Sequence, residues 1–367
     1  MKRILYVYDG KMTGVGIDAV VDLQLDALCQ AGYTVDLVSR GRSSIHSVVN
    51  FTRHHTLANL VSWLPRPLYY GAQRRVITSF ARRLLAKNDY HLVIAWPQRA
   101  LSVFKAAQGR IPCLLNCDTL HFAARRGKNR TSHWPEIRPP EMEAEYHDAS
   151  LVLAPSEYSR ETFLERGLPP DRVAVLGRGI DAVSFCPSIS PDPARPFRLV
   201  FCGRVTERKG IRQVIAAWRL AALPDAELLV IGEIAEDAQS LLDECKGESI
   251  RFHGFTRDLV PLLQSCDVQI LLSRTEGMAK SLLEGAACGL ATLATRESGF
   301  PLAEGINGYN VERKNKDAVA EKLRYLHANR AICQQMGREG RTTILANFTR
   351  EKFQERFLAF VKNYLAV

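Results

Sequence analysis

The chain has 367 residues, 46% of them hydrophobic and 24% charged, with a formal net charge of +10. At roughly 150 residues per domain this is about two domains, each able to bury a core. No uninterrupted apolar run reaches the ~18 residues of a membrane span. The nine cysteines include no CxxC pair. Cys29, Cys202, Cys266 and Cys288 sit in apolar stretches, so reduced core thiols are expected rather than a disulfide framework or a zinc site.

In chain order, the start MKRILYVYDG carries a short apolar run that Asp9 and Gly10 end too early for a signal peptide. A cytoplasmic protein is expected, and residues 3–8 read as a first buried strand. A loop through Gly14-Val15-Gly16 follows. Val20, Leu23, Ala27 and Leu28 then predict a helix over 17–31, stopped by Gly32. Residues 33–38 read as a second strand, which completes a βαβ unit of a parallel sheet.

Residues 45–70 look irregular, and a helix is predicted over 72–87 with Ile77, Phe80 and Leu84 inward. Between Leu37 and Asn88 there is no acidic residue but nine basic ones: Arg40, Arg42, Arg53, Arg66, Arg74, Arg75, Arg82, Arg83 and Lys87. Charge alone suits nucleic acid, an anionic bilayer or an acidic substrate. No zinc-finger spacing or RNP-like aromatic motif accompanies it, so nucleic acid is not the expected partner. Trp63, Leu64, Leu68, Tyr69 and Tyr70 are interleaved there, which favours a peripheral site on an anionic membrane surface, at the inner face of the cell membrane.

Strands are predicted at 92–96, 112–116, 151–154 and 173–176, with Ser156 capping a helix. Pro187, Pro191, Pro193 and Pro196 mark a linker. A second α/β series follows, with strands at 197–202, 228–231, 250–252, 268–272 and 291–294. Phe353, Phe357, Phe360, Val361 and Tyr364 give residues 346–364 helical spacing.

Three post-strand loops can carry chemistry. Gly14-Val15-Gly16 lets backbone approach a phosphate but lacks the full GxGxxG of a dinucleotide site. In Phe201 to Gly210, Arg204 and Lys209 flank the mouth of a loop, where two cations suit a diphosphate. In Ser273 to Gly289, Glu276 and Glu284 bracket a helix start inside a stretch rich in Gly and Ala. A helix N-terminus can hold a phosphate, and carboxylates accept from ring hydroxyls.

These residues resemble the retaining GT-B glycosyltransferases of group 1, also called GT4. Glu276 and Glu284 form an E-x7-E pattern, and GRVTERKG at 203–210 is similar to the family's Gly-Arg…Lys-Gly signature. GRGIDAVSFCP at 177–187 and GFPLAEGINGYNV at 299–311 resemble its linker entry and closing loop. The resemblance implies two Rossmann-like α/β domains facing a central cleft. Residues 1–180 would bind the acceptor and 181–345 the nucleotide sugar, with a helix over 346–367 packing back on the first domain.

By the same resemblance, Arg204 and Lys209 neutralise the diphosphate, Glu284 holds the ribose and Glu276 holds the transferred sugar. Gly16 and Gly203 and the amides of Gly277, Met278, Ala279, Lys280 and Ser281 meet the phosphates. Phe252 and Gly254, within FHGF at 252–255, edge the base. Two departures stand out: Asp118, with His121 three residues on, replaces the family's sugar-contacting histidine, and the closing loop has Pro301-Leu302 in place of Pro-Glu. Asp118 or His121 is therefore expected at the donor sugar or the acceptor hydroxyl.

The resemblance implies a retaining transferase, of hexosyltransferase type, acting on a glycan or lipid-linked acceptor in bacterial cell-surface polysaccharide or glycoconjugate synthesis. Its donor would be a UDP- or GDP-sugar. With no Asp-x-Asp element, neither a metal nor another cofactor is expected. The alternatives are a non-catalytic sugar-nucleotide-binding subunit and a sugar-nucleotide epimerase or phosphorylase of the same fold.

Overall fold

Ile4, Leu5, Tyr6 and Val7 are buried on both faces of their strand, as a parallel sheet covered by helices on both sides requires. The computed structural model describes residues 1–10, 12–13, 16–40, 51–55, 65–124, 139–190 and 194–366, with backbone alone at 51–55, 66 and 67. The chain divides into two units, Met1–Gly179 with Phe353–Val367, and Ile180–Lys352.

The first unit runs β1 (Arg3–Val7), α1 (Ile17–Gln30), β2 (Thr34–Ser39), β3 (Phe51–His55), α2 (Arg66–Lys87), β4 (Leu92–Ala95), α3 (Leu101–Ala107), β5 (Cys113–Asn116), α4 (Pro139–Asp148), β6 (Leu151–Ala154), α5 (Glu157–Leu164) and β7 (Val173–Val175). Among the described residues its sheet has seven strands in the order β3-β2-β1-β4-β5-β6-β7, paired in parallel throughout. Ser156 caps α5, its side chain accepting from the Ser159 amide at 3.1 Å.

The second unit runs β8 (Phe197–Cys202), α6 (Ile211–Ala221), β9 (Ala226–Ile231), α7 (Leu241–Glu244), β10 (Ile250–Gly254), α8 (Val260–Gln264), β11 (Val268–Leu271), α9 (Lys280–Ala287), β12 (Ala291–Ala294), β13 (Gly308–Asn310), α10 (Lys316–Ala328) and α11 (Arg330–Asn347). Its strands among the described residues lie in the order β10-β9-β8-β11-β12-β13, again parallel. Both units are Rossmann-like, which is the fold class expected from the sequence.

The last helix, α12 (Arg350–Leu365), buries Phe353, Phe357 and Val361 completely against Ile4, Tyr6, Leu25 and Leu28 of the first unit. Each such side chain contributes about 1.5–3 kcal/mol. This helix starts at 350 rather than 346. The preceding turns belong to α11, where Gly337 packs so closely on Gly289 that a Cβ would strike its carbonyl oxygen. The second unit therefore extends past residue 345.

Three other elements differ from expectation. β3, in FTRHH, has no apolar alternation to announce it, and β13 is only three residues long. α2 begins at Arg66, with Pro67 in its first turn, where the missing amide has no helical partner to lose. Among the described residues, no helix is long and apolar enough to cross a membrane.

Candidate functional site

Strands β8 and β11 are neighbours in the second sheet, Val268 pairing with Leu199. The loops that leave their C-terminal ends therefore run side by side, where parallel sheets place ligands. The two loops are joined directly. The Arg208 carbonyl accepts from the Arg274 amide at 3.0 Å. Gly210 follows at φ +83°, and a Cβ there would collide with the Leu272 carbonyl, so only glycine lets α6 start against the end of β11. Just before it, Thr206 caps a short turn by accepting from the Lys209 amide at 3.2 Å.

Glu276 lies in the β11 loop with its side chain 16% exposed. Its Oε1 accepts from Arg208 Nη1 at 2.9 Å and from the Ser273 hydroxyl at 3.3 Å, with Lys209 Nζ at 3.5 Å. Glu284 lies within α9, and its Oε1 accepts from Lys280 Nζ at 2.5 Å. Lys280 is half exposed while the Glu284 side chain is 10% exposed. Each carboxylate thus has one oxygen held by a cation, and Oε2 of each has no partner among the described residues. Beside them, burial and then the Glu284 carboxylate push the Cys202 thiol up to about 12, so it is not a nucleophile at neutral pH.

Lys209 and Arg204 do not form a symmetrical clamp. The Lys209 side chain is 14% exposed and turned to Glu276, under Gly203, where a Cβ would come 3.0 Å from Nζ. Arg204 is 63% exposed, with Glu233 at 3.9 Å, and is an open arm at the loop mouth. Of the amides from Gly277 to Ser281, that of Ala279 is already engaged. The Ala279 amide donates to the Ser298 carbonyl at 2.9 Å, and the Met278 and Ala279 side chains are buried in the core. Lys280 and Ser281 head α9, where the first amides lack intrahelical acceptors. At the end of β10, Phe252 packs against the core and the Gly254 carbonyl accepts from the Gly232 amide at 2.9 Å. The exposed ring of that segment is Phe255, at 73%.

In the first unit, Gly14 and Val15 lie outside the described residues, and Gly16 caps α1 with open space around its Cα. Asp118 is half-buried just past β5. The His121 side chain is buried in the core of the first unit. Its side chain is enclosed by Phe122, Tyr146 and Phe163, with ring centroids 4.8–5.4 Å away. Its Nδ1 accepts from the Ala123 amide at 3.2 Å, so the proton sits on Nε2, 3.3 Å from Glu143. Burial holds its pKa below the ordinary imidazole value, against the pull of Glu143. Sequence reading missed Arg208 and Ser273, which orient Glu276. Their only signal was adjacency to the Lys-Gly and Glu-Gly pairs.

Among the described residues, no cluster of three or more His, Cys, Asp or Glu could hold a metal ion. The chain matches a family model described as Glycosyl transferases group 1 over residues 196–329, and one described as Glycosyltransferase Family 4 over residues 15–183. EpsD of Bacillus subtilis, provisionally assigned as a glycosyltransferase, is 29% identical over 219 residues, 54% of this chain and 57% of that one. WcaL of Salmonella typhimurium, provisionally assigned as a colanic acid biosynthesis glycosyltransferase, is 28% identical over 199 residues, 50% of this chain and 49% of that one. The chain thus spans about half the length of these relatives. D-inositol 3-phosphate glycosyltransferase of Pseudarthrobacter chlorophenolicus is 22% identical over 357 residues, 88% and 84% of the two chains. Among solved structures, sucrose-phosphate synthase from Thermosynechococcus elongatus is similar with a TM-score of 0.79 at 18% identity, covering 100% of both chains. HepE of Anabaena in complex with UDP-glucose has a TM-score of 0.71 at 16% identity, covering 99% of this chain and 100% of that one. At such identities the likeness is one of fold.

Proposed function

The chain belongs to the group 1, family 4-related glycosyltransferases of GT-B fold, and on that premise we propose that it moves a sugar from a nucleoside-diphosphate sugar to a hydroxyl of a glycan or lipid-linked saccharide, with retention of anomeric configuration. The setting is bacterial cell-surface polysaccharide or glycoconjugate synthesis. The observation that carries this is the pair Glu276 and Glu284, each with one oxygen held by a cation and one left to accept from a hydroxyl. Glu284 would take the ribose and Glu276 the transferred sugar.

Breaking the sugar–phosphate bond builds negative charge on the leaving diphosphate and oxocarbenium character on the sugar. Lys209, Arg204 swinging in from the loop mouth, and the first amides of α9 would stabilise the diphosphate. Phe255 would lie along the base. Asp118 would meet the acceptor hydroxyl. HepE was crystallised with UDP-glucose, which makes UDP-sugars the first donors to try. The test is nucleoside-diphosphate release from a panel of UDP-, GDP-, ADP- and dTDP-sugars. Turnover with at least one is expected, and turnover with none refutes the proposal.

The same chain would meet its acceptor at an anionic bilayer on the inner face of the cell membrane. On α2, Arg75, Arg82, Arg83 and Lys87 are exposed, with no carboxylate partner among the described residues, and Leu68 beside them is 62% exposed. Arg74 is excluded from this face, since it pairs with Glu141 at 3.1 Å. Basic residues at an anionic surface contribute about 1 kcal/mol each before salt screens them. Sedimentation with anionic but not neutral vesicles at low salt, lost on replacing those four cations with Ala, is expected. No binding to anionic vesicles at low salt would eliminate bilayer docking.

A further inference from the structure

We propose that Arg208 is a positioning residue for the transferred sugar, acting through Glu276. Glu276 sits on a loop, and a carboxylate there is free to rotate unless something fixes it. Arg208 supplies two fixed points from one nitrogen: Nη1 donates to the Thr275 carbonyl at 2.7 Å and to Glu276 Oε1 at 2.9 Å. The guanidinium is itself held at its root, because the Arg208 carbonyl takes the Arg274 amide at 3.0 Å. The contacts of Ser273 and Lys209 converge on the same oxygen, Oε1. Every protein partner of this carboxylate among the described residues is therefore on one side. Oε2 has no protein partner among the described residues and is left as an acceptor of fixed direction, and a sugar hydroxyl is the group it suits.

Arg208 and Lys209 are consecutive but have different tasks. Lys209 lies beneath Gly203, at the loop where a diphosphate would come. Arg208 reaches across to the β11 loop and binds backbone as well as the carboxylate, a planar donor group that a lysine ammonium does not reproduce. Its effect is exerted on the sugar and not on the nucleotide. This rests on the proposed donor chemistry, and the two can fail separately.

The test is a double-mutant cycle with R208A, E276Q and the double variant, and R208K as the conservative partner. UDP affinity is measured by calorimetry, and kcat and KM with UDP-glucose or with whichever donor of the four-nucleotide panel turns over. R208A is expected to lower kcat at least tenfold while free-nucleotide affinity stays within about twofold. R208A/E276Q is expected to be no slower than E276Q alone, and R208K to recover part of the lost kcat. Additive losses in the double variant, or a tenfold loss of UDP affinity in R208A, would overturn the assignment; the second would make Arg208 a phosphate ligand. If R208A does not fold, R208K carries the same cycle. A wild-type protein inactive on every donor overturns the donor chemistry and this role with it, whereas an active wild type with additive losses overturns this role alone.

Discussion

Replacing Glu284 with Gln should separate stability from nucleotide affinity. Its Oε1 is paired with Lys280 at 2.5 Å, but Lys280 is half exposed and returns to water when the charge is removed. Pairs one helical turn apart are worth about 0.3–0.5 kcal/mol when exposed. Gln keeps the side-chain shape and an acceptor oxygen, and neutralising a carboxylate only 10% exposed also relieves its desolvation. The net change in folding stability should stay within about 1 kcal/mol. The nucleotide loses more. Oε2 has no partner among the described residues and Oε1 has a second lone pair, so the carboxylate can accept from two ribose hydroxyls. Hydrogen bonds to a charged group exceed neutral ones by about 1–1.5 kcal/mol each, giving about 2–3 kcal/mol, or roughly 30–150-fold weaker binding. Calorimetry with UDP, GDP, ADP and dTDP, alongside urea unfolding of both proteins, measures the two quantities. Unchanged affinity for all four, or an equal loss in Glu276→Gln, would refute the division of labour between the glutamates.

Lys209→Ala should weaken nucleoside-diphosphate binding by about 1.5–3 kcal/mol, and Arg204→Ala by less, because that side chain stands in water before the ligand arrives; equal effects in calorimetry would contradict the asymmetry. His121→Ala should cost roughly 2–4 kcal/mol of stability, as for emptying a buried site, and leave nucleotide affinity unchanged; a stable variant with weakened donor binding would restore His121 to the site. Glu145 accepts from the amides of Gln98, Ala100 and Leu101, yet burial raises its pKa from 4.5 to about 7. The folded state then holds more protons than the unfolded between those values, so the contribution of Glu145 to stability should fall as pH rises from 4.5 to about 7 and level off above. Urea titrations of wild type and Glu145→Gln across that range should diverge, and parallel profiles would contradict the raised pKa.

The second unit was the more legible because its chemistry is local. The strand into Gly203, the cations after it and the run from Glu276 to Glu284 are each contained in one loop or helix. Sequence could place them at the ends of β8 and β11 without knowing which strands are neighbours. What it could not supply was direction. That Lys209 turns to Glu276 and Arg204 away depends on the β8–β11 pairing. Arg208 was invisible for the same reason, since its acceptors lie 67 and 68 positions away. His121 failed in the opposite way. A histidine shortly after a strand reads as a ligand, but Tyr146 and Phe163, remote in sequence, close an aromatic box around it. In the first unit, Pro65 and Pro67 punctuate the sequence like a loop although they start α2.

The stereochemical course of transfer tests the central proposal most directly. Wild-type protein should be incubated with the α-linked nucleotide sugar that turns over and a glycan acceptor, and the anomeric proton of the product followed by NMR. An α-linked product formed in step with nucleoside-diphosphate release is expected, with Glu276→Gln slowing both together. A β-linked product, or nucleotide bound without any sugar transferred, would contradict it.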